Sequence, residues 1–280
     1  MKKIVIVTDS TTDLDRKVIE EYDIKVIPLA IQIDSETYID RVDITPEEFL
    51  EKMAAANELP KSSQPAVGNF TELYSSLLNE ADEIISIHMT SGMSGTYQTA
   101  CSAAEMTGGN ITVVDSQFIS KALGFQVVEA ARMAKEGSGK EEILERIQAI
   151  KNATKLFVTV DTLENLVKGG RIGRGKAMIG SLLNIKPIAS LQDGVYTPVA
   201  KVRSHSQIVK YLAKQFGDDV KGKTAKAIGI AHADALELAN SLKEAILHIS
   251  PDLPVDISYT TPVVSTHTGP GAIGFMYYAE

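Results

Sequence analysis

Hydroxyl side chains and glycines crowd the stretch Thr90 to Ala100, TSGMSGTYQTA, between the apolar run Ile84 to Met89 and a small-residue run, Thr96 to Met106, whose pattern predicts a helix. A strand that feeds a Gly/Ser loop and then a helix N-terminus presents unpaired backbone N–H groups, and the helix dipole favours negative charge beside them. The loop therefore reads as an anion cradle. It lacks the Lys of a P-loop and does not match GxGxxG, so it meets neither phosphate motif. Thr90, Ser91, Ser94 and Thr96 put hydroxyls where such motifs place a cation. A Gly/Ser-rich helix cap without a ligand is the plain alternative.

Two other segments carry groups that could join this loop. Lys61 to Pro65, KSSQP, sets Ser62 beside Ser63, and by propensity alone it is a connector. Val263 to Gly274, VVSTHTGPGAIG, places His267 between Thr266 and Thr268, ahead of a Gly-Pro-Gly turn whose backbone can approach a ligand closely. If Ser62 or Ser63, the Ser91 to Ser94 loop and His267 converge, two chemistries are open. One is a nucleophilic Ser with a His base, oriented by Asp115, as in an acyl hydrolase or transferase. No GxSxG elbow supports it, because the loop reads S-G-M-S-G. The other is retention of a carboxylate by neutral hydroxyls and backbone N–H groups, which keep it ionised even when its tail is buried. Such a tail needs an apolar slot. At about 0.8 kcal/mol per CH₂, roughly a dozen buried methylenes give on the order of 10 kcal/mol before ordering costs. Ile179, Leu182, Leu183, Phe275 and Met276 fit a slot or an ordinary core alike. A third class, phosphate or nucleotide binding, would use KGGRIGRGK, Lys168 to Lys176, where four cations alternate with four glycines.

The elements that must position these groups follow an α/β pattern. Lys3 to Thr8 predicts a strand ending at Asp9 and Ser10, Asp13 to Tyr22 a surface helix, and Ile24 to Ile33 a strand or strand pair broken by Pro28. Thr45-Pro46-Glu47-Glu48 is a capping box with Pro at the first helical position, opening a helix to about Asn57. Helices are expected over Asn69 to Asn79, Gln117 to Lys135 and Lys140 to Asn152, with a strand at Ile111 to Val114 ending in Asp115 and Ser116. Both Asp-Ser pairs fall at the carboxyl ends of strands, where open α/β sheets bind ligands, and helix capping explains either Asp equally well. Leu156 to Val160 begins a second unit, with a short helix at Thr162 to Val167 and an apolar stretch, Ala177 to Ile185, expected to be buried or to line a cavity. Asp193-Gly194 between Lys186 to Leu191 and Val195 to Val202 is the strongest hairpin signal in the chain. Helix Ser206 to Phe216, strand Ala227 to Ala231, helix Leu236 to Ile249 and strand Val255 to Tyr259 complete it. The expectation is two α/β domains, 1–153 with a mostly parallel sheet and 154–280 with a mixed one, and a ligand between them.

The whole chain bounds the partners. With 280 residues and a net charge of -8 it lacks the basic balance of a nucleic-acid-binding surface. Cys101 is the only cysteine, so no intramolecular disulfide forms, and no zinc motif is present. The start, MKKIVIVTDS, is too short in apolar residues for a signal segment, and no run approaches the roughly 20 apolar residues of a membrane span. A cytoplasmic protein with no cofactor and no metal is expected.

In order along the chain, IVTDSTTDL, SSQP, SGMSGTYQTA, VVDS, LVKGGRI, LLNIKP, KVR and THTGPGAIG resemble the DegV family of bacterial fatty-acid-binding proteins. The resemblance covers essentially the whole sequence, and eight ordered motifs are far more specific than any one. It implies a two-domain α/β protein that encloses a long-chain fatty acid such as palmitate, stearate or oleate. In fatty acid kinase systems such a protein presents the acyl carboxylate to a separate ATP-using kinase subunit, which makes an acyl phosphate for phospholipid synthesis. Carried over residue by residue, the TSQP hydroxyls fall on Ser62 and Ser63; Ser replaces the usual leading Thr and keeps its donor. The carboxylate-binding Ser falls on Ser91, with Gly92 and Ser94 following the pattern, and the His of H-x-G-P-G falls on His267, beside Thr268. Arg171 and Arg203 match the GGR and KVR arginines, implied to sit at the pocket mouth for kinase docking or phosphate handling, so that replacing either would spare lipid binding.

Overall fold

A computed structural model describes residues 2–178 and 185–280. The chain opens with β1 (Ile4–Asp9), α1 (Arg16–Glu21), β2 (Lys25–Ile27), β3 (Ala30–Ile33) and β4 (Glu36–Ile39). It continues through α2 (Pro46–Ala55), β5 (Lys61–Ser63), α3 (Val67–Leu78), β6 (Glu83–His88), α4 (Thr96–Thr107) and β7 (Ile111–Asp115). Two long helices follow, α5 (Ser120–Lys135) and α6 (Lys140–Ala153). Beyond them lie β8 (Thr154–Thr159), α7 (Glu164–Lys168), β9 (Lys186–Gln192), β10 (Val195–Val202), α8 (His205–Asp219) and β11 (Ala225–Ala233). The last elements are α9 (Leu236–Leu247), β12 (Val255–Tyr259), α10 (Pro262–Thr268) and β13 (Ala272–Ala279).

Strand β1 is apolar on both faces because it is covered on both faces. It sits inside a parallel sheet of order β2-β1-β6-β7. Val5, Val7 and Ile84 face Phe70, Tyr74 and Ala100 of α3 and α4, while Ile6, Ile85 and Ile87 face Leu123 and Val127 of α5. The second large sheet has order β10-β9-β8-β13-β11-β12 and draws every strand from Thr154 onward. Its neighbours pair antiparallel except β11 with β12. The same period-two alternation splits this sheet: Phe157, Phe275 and Tyr277 pack against α8 and α9, whereas Leu156, Val158 and Met276 join the core that contains α5. Helix α5 is thus a wall shared by both sheets. Among the described residues no helix is long and apolar enough to cross a membrane.

The capping box forms as expected, with Glu48 N–H donating to Thr45 Oγ1 at 3.2 Å and Thr45 N–H donating to Glu48 Oε2 at 2.9 Å. The hairpin turn also forms, Asp193 and Gly194 taking φ of 53° and 73°, the paired positive values of a type I′ turn. One element departs from local propensity. Lys61–Ser63, expected as a connector, is a strand that pairs antiparallel with β3, Ser62 opposite Ile31, in a small sheet of order β4-β3-β5. The apolar β3 supplies the template, and propensity yields to it. Of the apolar residues proposed for a slot, Phe275 lies in the outer core against α8, not between the sheets. Ile179, Leu182 and Leu183 lie outside the described residues.

Candidate functional site

Three chain segments from different elements meet around a cavity of ≈ 300 Å³. Strand β5 and the turn after it bring Ser62, Ser63 and Gln64; the loop after β6 brings Met93 and Ser94; helix α10 brings Val263, Val264 and His267. Leu29, Met89 and Ile119 complete the apolar part of the wall, and Arg171 the polar part. Apolar side chains thus share the wall with hydroxyl, amide, imidazole and guanidinium groups, the composition expected of a site for a small amphipathic ligand.

Ser62 Oγ and His267 Nε2 lie 2.7 Å apart. Among the described residues the other ring nitrogen, Nδ1, is buried without a partner. A proton on Nδ1 would strand a buried donor, which costs more than a stranded acceptor. The favoured neutral tautomer therefore carries its proton on Nε2 and donates it to Ser62, which leaves the Ser62 O–H free to point into the cavity. Burial, reinforced by the Arg171 cation, holds the imidazole pKa down at about 4, so the ring is neutral at physiological pH.

Arg171 anchors this corner by donating from Nε to Met93 O at 3.0 Å and from Nη1 to Gly169 O at 2.7 Å. These bonds leave Nη2 uncommitted among the described residues. Ser94 Oγ accepts from Thr96 N–H at 3.2 Å and lies 2.9 Å from Thr96 Oγ1. The loop is closed from above by the β9–β10 hairpin, where Thr90 Oγ1 donates to Gly194 O at 2.9 Å.

The structure brings Ser62, Ser63, Ser94, Arg171 and His267 together and leaves four expected residues out. Ser91 donates its hydroxyl to Asp115 Oδ2 at 2.5 Å and is not among the residues that line the cavity, where the loop serine is Ser94. Gly92 serves packing: a Cβ there would come within 2.6 Å of Gly194 O. Thr268 does not line this cavity: its Oγ1 donates to Val264 O at 3.2 Å, and the residue borders an adjoining crevice that shares Ile119 with it. Arg203 is exposed at the end of β10 and does not line the cavity. Arg171 lines the cavity, held there by its two carbonyl partners.

Two sequence readings lose their geometry. Asp115 is engaged by Ser91 and by Gln117 N–H at 2.9 Å, so it does not orient His267 and no Ser62–His267–carboxylate relay forms. Three of the four cations of KGGRIGRGK have local partners: Lys168 pairs with Glu164 at 2.5 Å, Arg171 binds carbonyls, and Arg174 lies 3.4 Å from Asp193. A Ser–His–Asp series does exist elsewhere, Ser86 Oγ to His88 Nε2 at 2.7 Å and His88 Nδ1 to Asp9 Oδ2 at 3.1 Å. All three side chains are fully buried and the series ends at Tyr74, so it ties β1 to β6 and α3. Gln64 was missed as a wall residue, although it belongs to the KSSQP motif; its Nε2 donates to Thr99 Oγ1 at 2.6 Å.

Comparison with known proteins agrees with this architecture. A family model described as an uncharacterised protein of the DegV family matches residues 3–280. A DegV domain-containing protein of Listeria monocytogenes is 43% identical over 281 residues, covering 100% of both chains. Among solved structures, a DegV family protein from Thermus thermophilus, described for its fatty acid binding, is similar at a TM-score of 0.93 and 31% identity over 100% of both chains. DegV from Bacillus subtilis, described as a fatty acid binding protein, is similar at 0.92 and 32%, again over 100% of both chains.

Proposed function

This chain belongs to the DegV family, and from that premise we propose that it binds a long-chain fatty acid and presents its carboxylate to a separate kinase subunit for acyl phosphate formation. The observation that carries the reading is the Ser62–His267 contact in the wall of a cavity that also presents apolar side chains. The Ser62 O–H, freed by the His267 proton, donates to one carboxylate oxygen; Ser63, Ser94 and the Nη2 side of Arg171 supply further donors around it. A neutral imidazole suits this task, since it fixes a hydroxyl without competing as a general base. Charge-assisted bonds from Arg171 and the hydroxyls keep the head ionised beside a greasy wall.

The tail continues past Ile119, which is common to the cavity and to a crevice of ≈ 20 Å³ lined by Leu156, Val158, Ala231 and Met276. That crevice has room for about one water, so an acyl chain enters by displacing the flexible Met276 and the Ile119 side chain. The ligand then lies against α5, between lobes 1–153 and 154–280, a division supported by the two sheets drawing their strands from separate halves. Nothing in this arrangement consumes the carboxylate, which stays available to an incoming phosphoryl group at the surface formed by Arg171 and the Ser94 loop.

The test is direct. The purified protein, mixed with palmitate or oleate, should bind it reversibly and show no turnover; addition of the partner kinase and ATP should release acyl phosphate. A covalent acyl-serine adduct after incubation with an activated acyl ester would instead establish the hydrolase or transferase reading.

A further inference from the structure

Beneath the N-terminus of α10, the helix that carries His267, lie two carboxylates that do not line the cavity. Asp13 is 3% exposed and Asp40 1%. Asp13 Oδ1 accepts from Thr261 N–H at 2.7 Å, and its Oδ2 accepts from Thr260 Oγ1 at 2.8 Å and from the Ser120 hydroxyl. Asp40 Oδ1 accepts from Val263 N–H at 3.4 Å, and its Oδ2 accepts from Ser10 Oγ at 2.6 Å. Ser10 Oγ in turn accepts from Leu29 N–H at 3.1 Å. Two walls of the cavity, Leu29 and Val263, are thereby tied to one acid.

Holding two carboxyls in a dry site is unfavourable unless every acceptor is engaged. Burial pushes Asp13 above the usual carboxylate range and Asp40 up to about 7, against the bonds that each accepts. The bonds they do accept converge on the first turn of α10, where the N–H groups have no intrahelical partners. Helix α10 is only seven residues long, so few bonds of its own fix its position along its axis. Val263 and His267 are four residues apart and share one face, hence a shift of the first turn moves both together. Since the Ser62–His267 contact spans β5 and α10, such a shift would break it.

We propose that Asp13 and Asp40 are positioning residues for the head-group site, clamping the start of α10 so that His267 meets Ser62. The inference rests on the reading of His267 as a head-group residue, but its structural part can be read without any lipid. The experiment is NMR of the ligand-free protein, with ¹⁵N-labelled histidine followed through a pH titration, in the wild type, Asp40→Ala, Asp40→Asn and Ser10→Ala. In Asp40→Ala the His267 ring signals should move and its midpoint should rise from about 4 towards the ordinary 6.5 as the ring leaves its buried seat. Asp40→Asn, which keeps an acceptor for Val263, should stay close to wild type. Ser10→Ala, which leaves both acids but removes the hydroxyl that orients Asp40, should show the same change in smaller measure, and it stands in if Asp40→Ala does not fold. Ile246→Val, a core change on the buried face of α9, is the control for general destabilisation and should leave His267 unmoved. Palmitate affinity should fall roughly tenfold in Asp40→Ala and remain within about threefold in Asp40→Asn. Unchanged His267 signals in Asp40→Ala and Ser10→Ala overturn the clamp; a wild type that binds no palmitate overturns the lipid reading and leaves the clamp standing.

Discussion

Gly169 makes the seat for the His267 ring: a Cβ at position 169 would lie well inside contact distance of Nδ1. The backbone there has φ of -75°, which any residue adopts, so glycine answers a close approach, by the imidazole and by Asn165 O at 2.9 Å from such a Cβ, and not a strained φ. Its neighbour is the opposite case, since Gly170 has φ of 75° and open space around its missing Cβ.

The two glycines should therefore fail differently. Gly169→Ala should push His267 away from Ser62 and weaken fatty acid affinity by roughly tenfold, with little change in stability beyond the local clash. Gly170→Ala should lower stability by about 1 kcal/mol through backbone strain while affinity holds. Isothermal titration with oleate and urea denaturation of both variants separate the outcomes.

Among the serines, the hydroxyls that face the cavity should matter and the one spent on Asp115 should not. Ser62→Ala and Ser94→Ala should each weaken binding by about 1–3 kcal/mol through a lost charge-assisted bond. Ser91→Ala should change it by less than about 0.5 kcal/mol, a typical surface effect. Competition with a fluorescent fatty acid measures all three.

The arginines should also divide. Arg171→Ala removes a cation from the cavity wall and frees Met93 and Gly169 carbonyls, so lipid affinity should fall by about 2 kcal/mol or more. Arg171→Lys keeps charge but not the two-carbonyl geometry and should recover only part of it. Arg203→Ala should leave binding unchanged, and a kinase-coupled assay then shows whether that exposed guanidinium serves the partner.

Stability should respond to pH with opposite signs at two buried groups. His267 has a folded pKa of about 4 against an ordinary 6.5, so between those values the unfolded chain binds the extra proton and stability falls as pH is lowered from 6.5 to 4. Asp40 has a folded pKa of about 7 against 3.8, so between those values the folded chain binds the extra proton and stability falls as pH rises from 4 to 7. Relative to wild type, His267→Gln should gain urea resistance on acidification from 6.5 to 4.5, by on the order of 1–2 kcal/mol. Asp40→Asn should gain it on the alkaline side, between 5 and 7. A denaturation series across this range in the two variants checks both signs.

Much of the fold was legible because the signals were local. The apolar runs at β1 and β6, the Thr45–Glu48 capping box and the Asp193-Gly194 turn each carry their instructions within a few residues. What was not legible depends on residues distant in sequence. Lys61–Ser63 becomes a strand only because Ile31 and its neighbours offer an edge. Ser91 and Ser94 are equivalent in the loop's sequence, and the choice falls to Asp115, delivered by the adjacent strand β7. Arg171 turns inward because Met93 O, more than seventy residues away, lies within reach. Asp13 was expected to open a surface helix and Asp40 carries no local signal; only the docking of α10 over them shows that they are buried.

The most direct test of the carrier reading is mass spectrometry of lipid extracted from the natively purified protein. About one equivalent of free palmitate, stearate or oleate per chain is expected, held without a covalent bond and largely lost in the Ser62→Ala/Ser94→Ala double variant. Protein that carries no acyl chain and takes none up, or an acyl group found esterified to a serine, would contradict it.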